Sequence, residues 1–283
     1  MANTLSLRRR IKTAQNISKT TRAMQMIAAS RLKRAQEAAV SARPYVTRLV
    51  ELSKNLAPKE KETILHPYMK NNTLSGKTLY IIISPDKGLC GGLVTNLIRE
   101  YLKYNKDENS CFITIGKKIE GVVASTNKHL IASFPFGNTL PSFDIIMPLV
   151  QLIDEYFING RVDNVKIITT HFNSVFSQAT KISTLLPVQL QETKESNEIT
   201  FEPGKQELLP ALLKRYLEMV LFQHILESYA SEQAARMIAM QNATNNAKDI
   251  VSALKLLYNK ARQEKITKEI LDISSAAVMM ETE

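Results

Sequence analysis

Residues 211–261 read ALLKRYLEMVLFQHILESYASEQAARMIAMQNATNNAKDIVSALKLLYNKA, with no glycine and no proline. Every seventh position from Leu212 holds Leu, Met, Leu, Gln, Met, Ala, Leu and Ala. The interleaved positions from Tyr216 hold Tyr, Gln, Ala, Met, Thr, Val and Tyr. Twelve of these fifteen are apolar if Tyr is counted, which is a coiled-coil seam with polar interruptions. A helix over 211–280 is on the order of 100 Å long, far beyond an ordinary globular helix.

The other end of the chain matches it. All nine glycines lie between Gly76 and Gly204, and the first proline is Pro44, so residues 1–43 also lack the usual helix breakers. Asn3 or Thr4 caps a helix whose alternating steps of three and four pass through Leu7, Ile11, Ala14, Ser18, Thr21, Gln25, Ala28, Leu32, Ala35, Ala39, Ala42, Val46 and Leu49. Small residues on such a seam let a second helix approach closely.

Between the ends the period changes. Thr78–Ser84, Cys111–Gly116, Leu130–Phe134 and Val165–Phe172 are short β-branched or aromatic runs, and Lys181–Leu190 adds a further strand. Helices are expected at about 91–105, 117–127 and 142–159. The fold class expected is α/β plus a long antiparallel coiled coil: the terminal helices form a shaft, and a small Rossmann-like domain is inserted between them. The segments are 1–56 (first shaft helix), 57–73 (linker), 74–190 (α/β domain), 191–210 (connecting loop) and 211–283 (second shaft helix).

Charge follows the same division. Residues 1–56 carry twelve basic and two acidic side chains, and the remaining 25 basic and 25 acidic residues cancel. The whole net charge of +10 therefore belongs to the first helix. The apolar runs are far short of the ~18–20 residues that cross a bilayer. Two cysteines, Cys90 and Cys111, are too few for a disulfide framework and point to a reducing compartment. Thr4–Arg34 has the composition of a transit peptide, but its helical spacing runs on to about Leu56, which reads as mature chain.

The search for chemistry yields little. Pro85–Gly92 follows a strand and opens a helix, where phosphates bind in α/β folds, yet neither GxGxxG nor GxxxxGK[ST] is present. The histidines are scattered, Asp86 and Asp144 belong to no acid/base motif, and there is no GxSxG. No catalytic residue, cofactor or metal is expected. The basic helix has two readings, nucleic acid or an acidic protein partner. Against the first, residues 1–44 hold no aromatic side chain to stack on bases, and the basic residues surround the helix.

Five stretches then decide the matter: Ile11–Asn16 (IKTAQN), Thr21–Ser30 (TRAMQMIAAS), the Asp86–Gly92 turn, Ser231–Met237 (SEQAARM) and Tyr258–Gln263 (YNKARQ). In this order they closely resemble the gamma subunit of F-type ATP synthases. The resemblance implies a non-catalytic central-stalk rotor that couples ion-driven rotation to ATP synthesis or hydrolysis. Its partners would be the alpha and beta subunits of the catalytic hexamer, the epsilon subunit and the c-subunit ring at the membrane, with no nucleic acid. Arg262 and Gln263 match positions that bond a loop of beta, and Met24 and Arg236 match positions where the helices face each other near its acidic lever. For Met24, packing within the seam is the competing reading. A bacterial origin is expected, peripheral on the cytoplasmic face of the inner membrane, because the motif begins at Ile11, too early for a presequence. No cysteine pair of the chloroplast kind is inserted before the last helix, so thiol regulation is not expected. The alternative is a basic coiled-coil protein that binds nucleic acid, and a third is a nucleotide-dependent α/β enzyme built on the glycine turn.

Overall fold

The computed structural model describes residues 4–56, 66–70, 75–104, 109–126, 129–188 and 204–281. Most of the expected linker, the connecting loop as far as residue 203 and the last two residues lie outside them. In chain order the elements are α1 (Thr4–Leu56), β1 (Thr78–Ile83), α2 (Leu93–Tyr104), β2 (Ser110–Ile115), α3 (Lys117–Ser125), β3 (His129–Phe134), α4 (Ile146–Ile158), β4 (Asn164–Ser174), β5 (Ser177–Leu186) and α5 (Lys205–Glu281). Short 3₁₀ turns occupy Pro67–Met69 and Phe143–Ile145. The chain divides into two compact units that cut through both long helices: residues 1–27 with 237–283, and residues 28–236.

The first unit consists of two antiparallel helical segments. The Thr21 hydroxyl meets that of Thr244 at 2.7 Å, and nearer the chain ends Leu7 shares a cavity wall with Leu257 and Ala261. Seam positions Leu7 and Ala14 are buried and Ile11, Ser18, Thr21 and Gln25 half-buried. They face Met240, Thr244 and Ala247, all buried. The 3.5-residue period thus places the side chains that touch. Each hydroxyl also has a carbonyl acceptor one turn back on its own helix, that of Ile17 at 3.0 Å for Thr21 and that of Met240 at 2.8 Å for Thr244, so either can be the donor across the seam. A polar layer of this kind pins the register of a helix pair. From Arg262 to Ser274 every side chain is exposed.

In the second unit the sheet order is β3-β2-β1-β4-β5, with β1–β4 parallel and β5 antiparallel to β4. Right-handed crossovers put α2 and α3 on one face and α4 on the other. Tyr80, Ile82, Phe112 and Ile168 alternate onto the first face and pack with Leu97, Tyr101, Ile119 and Val123. The α1 residues Ala28, Leu32, Ala35, Ala39 and Leu49 are buried, and Arg215 of α5 donates to the Tyr45 hydroxyl of α1 at 3.3 Å. Its guanidinium also lies 4.8 Å from the Phe143 ring centroid.

Two boundaries differ from the expectation. Helix α5 begins at Lys205, not after Pro210, because the Gly204 carbonyl accepts from the amides of Glu207 and Leu208 at 3.1 Å each. Pro210 therefore lies inside the helix, where its ring nitrogen cannot donate to the Gln206 carbonyl one turn back. Strand β5 begins at Ser177, not Lys181, because residues 177–180, three of them polar, pair across a hairpin with the far end of β4. Pro187 follows its end.

Gly116 ties the strand ends together. Its amide donates to the Phe134 carbonyl at 2.8 Å, its φ is +103°, and an added Cβ would stand 1.9 Å from the Ser84 carbonyl oxygen. Gly121, within α3, would meet nothing. Gly116→Ala should therefore destabilise the chain by more than about 4 kcal/mol. Gly121→Ala should stabilise it by about 1 kcal/mol, both read by chemical denaturation.

Candidate functional site

In a doubly wound sheet the ligand position lies beyond the carboxyl ends of the strands, where the strand order reverses. Here that point is between β1 and β4, and the chain covers it with α5. The Ser231 hydroxyl donates to the Thr170 carbonyl of β4 at 3.0 Å. Arg236 Nη2 lies 3.3 Å from both the Lys87 and Gly88 carbonyl oxygens in the β1–α2 turn. The amides opening α3, where an anion would sit, are also taken. Lys117 N donates to Asp86 Oδ1 at 2.9 Å and Ile119 N to Ser84 Oγ at 3.2 Å. Asp86 further accepts from the amides of Phe136 at 3.3 Å and Gly137 at 2.8 Å. A carboxylate of the chain itself thus holds the position a phosphate would take, so the Pro85–Gly92 turn serves as a structural joint.

The joint depends on a buried ion pair. Glu232 and Arg236, one helical turn apart on α5, meet at 2.6 Å, with their side chains 6% and 15% exposed. Burial pushes the Glu232 carboxyl above the usual carboxylate range, against the pull of Arg236. Among the described residues its Oε2 has no hydrogen-bond partner. Removing one member of such a pair costs about 3–5 kcal/mol, because the other charge is left uncompensated. Cys90, buried on the same turn, has its thiol pushed up by burial while Arg236 acts in the opposite sense. That environment does not make a nucleophile.

The four expected contact residues fall in different settings. Arg262 and Gln263 are exposed on α5, one step beyond the half-buried seam residue Ala261. Met24 is 39% exposed, so it lies off the seam and not within it. Arg236 is mostly buried and bonded within the chain. The structure also joins two of the five motifs, since Arg236 of the SEQAARM run bonds the Asp86–Gly92 turn. Glu232 was not singled out from sequence. Its position four residues before Arg236 was the available signal, but the same spacing marks ordinary surface pairs. Among the described residues no helix is long and apolar enough to cross a membrane, and no group of three or more His, Cys, Asp or Glu is arranged to hold a metal.

Comparison with known proteins fits this architecture. The solved chains similar to it include one from the Euglena gracilis mitochondrial ATP synthase, with TM-score 0.69 at 18% identity, covering 98% of this chain and 95% of that one. Another comes from the central stalk and c-ring of the Tetrahymena thermophila mitochondrial ATP synthase, with TM-score 0.60 at 24% identity, covering 79% and 99%. Both speak to the fold. Among curated relatives, the ATP synthase gamma chain of Dehalococcoides mccartyi (strain CBDB1) is 39% identical over 99% of this chain and 100% of its own length. That of Methylacidiphilum infernorum (isolate V4) is 36% identical over the same shares. The sequence profile of the ATP synthase family matches residues 3–279. With a match over nearly the whole length by profile and by pairwise identity, the chain belongs to the ATP synthase gamma chain family.

Proposed function

We propose that this chain is the central-stalk rotor subunit of an F-type ATP synthase, transmitting rotation of a membrane ring of c subunits to the sites where beta subunits make or hydrolyse ATP. It carries no catalytic site of its own. The supporting observation is the outer surface of the two-helix unit, where Leu5, Ile17, Met26, Ile27, Ile250, Leu256 and Leu257 are exposed. A pair of helices with so much apolar exterior suits a surrounding protein socket. The same unit exposes Arg8, Arg9, Arg10, Lys12, Lys19 and Arg22, which favours a socket with acidic patches.

The proposed partners are alpha and beta around the helices, and epsilon and the c ring at the α/β domain. The assembly sits peripherally on the cytoplasmic face of a bacterial inner membrane. Arg262, Gln263 and Met24 are proposed as direct contacts with beta, because each presents its side chain to the outside. Arg236, spent largely on bonds within the chain, acts on the same partner through the turn it holds. The nucleic-acid reading loses its ground, since apolar and basic side chains share the exposed surface and no aromatic residue accompanies them in the first 44 positions.

Mixing the purified chain with alpha and beta subunits should give a complex that co-purifies and hydrolyses ATP faster than alpha and beta alone. Absence of both effects would overturn the rotor reading. In the assembled enzyme, Arg262→Ala should change the unfolding free energy of the chain by less than about 0.5 kcal/mol. Ion-driven ATP synthesis should nevertheless fall, and unimpaired synthesis would remove Arg262 from the contact set.

A further inference from the structure

The β1–α2 turn carries a strained residue at the surface. Leu89 has φ +65°, a left-handed conformation that a bulky L-residue seldom adopts, and its side chain is 63% exposed. Burial of that side chain therefore does little to offset the strain, so other contacts have to fix the turn. Asp86 anchors its start through the amides of Lys117, Phe136 and Gly137. The two carbonyls immediately before Leu89, those of Lys87 and Gly88, both accept from Arg236 Nη2 at 3.3 Å. Glu232 fixes the same guanidinium at 2.6 Å. All three acceptors meet one nitrogen, Nη2, whose two N–H groups are shared among the two peptide carbonyls and the carboxylate. Lys87 and Leu89 then face outward while Cys90, the next residue, is buried.

We infer that Arg236 is a positioning residue: held by Glu232, it clamps the Lys87 and Gly88 carbonyls and thereby sets the outward presentation of Lys87 and Leu89 to the rest of the rotary complex. The clamp is a property of the chain alone. Its consequence in the complex rests on the rotor reading.

The two thiols provide a test in the full-length chain. Cys90 lies on the clamped turn and Cys111 on β2, both buried, and peptide mass after timed alkylation reads each separately. In Arg236→Met, Cys90 should be alkylated at least about tenfold faster, as local opening exposes it, with Cys111 unchanged. The direction is discriminating. Loss of the cation alone raises the Cys90 pKa and slows thiolate chemistry, so faster labelling reports an opened turn. Arg236→Lys, whose ammonium carries three donors but reaches less far than Nη2, should give an intermediate rate. An unchanged Cys90 rate in Arg236→Met, equal acceleration of both thiols, or native behaviour of Arg236→Lys would each overturn the clamp. In complexes assembled with alpha and beta, Arg236→Met should lower ATP hydrolysis severalfold while the subunits still co-purify. Selective opening at Cys90 with full hydrolysis would overturn the role of the turn in the complex. Failure of the unmodified chain to assemble would instead count against the rotor reading and leave the thiol result standing.

Discussion

Two helices can lie against each other over many turns only if the side chains between them are small enough for the backbones to approach. In one unit Ala14 and Ala247 are buried on the seam; in the other Ala28, Ala35, Ala39, Ala230 and Ala234 are. A single helix in water draws little stability from propensity and most of it from a packed face. For α1 the packed face is this narrow strip, since the basic, polar and apolar residues on its other sides are largely exposed. The sheet, the turn and the ion pairs of the second unit are arranged around helices already constrained by the seam.

Helix α5 meets two environments along its length. From Leu217 to Ala234 most of its side chains are buried; from Met237 onward only seam positions are. Its buried carboxylates, Glu218 and Glu232, belong to the first stretch, as does the half-buried Glu227. Glu218 pairs with Arg215 at 2.9 Å, Glu227 with His171 at 2.7 Å and Glu232 with Arg236 at 2.6 Å. A desolvated carboxylate without a partner is costly, so a slip of α5 that separated Glu227 from the β4 residue His171 would be opposed by more than lost packing. In the exposed stretch the Lys265–Glu269 pair, at 3.4 Å between well-exposed groups, is worth a few tenths of a kcal/mol. One continuous helix is thus fixed by charge and packing where it is surrounded and by the seam alone where it is not.

This difference explains what could be read from sequence. Steps of three and four along α1 locate buried residues from Leu7 to Leu49 because burial on a two-helix contact has that period. The strands were legible from Leu79–Ile83 and Val165–Ile168, where β-branched and aliphatic residues cluster. The start of β5 was not, since Ser177, Gln178 and Thr180 are polar and the segment becomes a strand only through pairing with β4. Tyr68, within the expected linker, is fully buried with its hydroxyl donating to Asp154, and its carbonyl accepts from Val188 at 2.8 Å. These partners are about 90 and 120 positions away, beyond any local signal. The contact residues divide likewise. Exposure of Arg262 follows from its place one step past the seam, whereas the bonds of Arg236 depend on the fold of the β1–α2 turn, which no periodicity reports.

The covered switch point shows why a phosphate motif was missing from a sheet of this topology. Asp86, Pro85 and Ser84 accept from the opening amides of α3, and Ser231 and Arg236 satisfy carbonyls of β4 and of the turn after β1. The amides that open α3 are thereby paired within the chain. The glycines of the region serve backbone geometry: Gly91 takes φ +61°, and Gly116 allows the Ser84 carbonyl to approach closely. A sheet that closes its own binding crevice with a helix gains an attachment for that helix. The α/β domain and α5 therefore form one unit through residue 236, and a force applied to that domain reaches α5 through the Thr170–Ser231 bond and the Arg236 clamp.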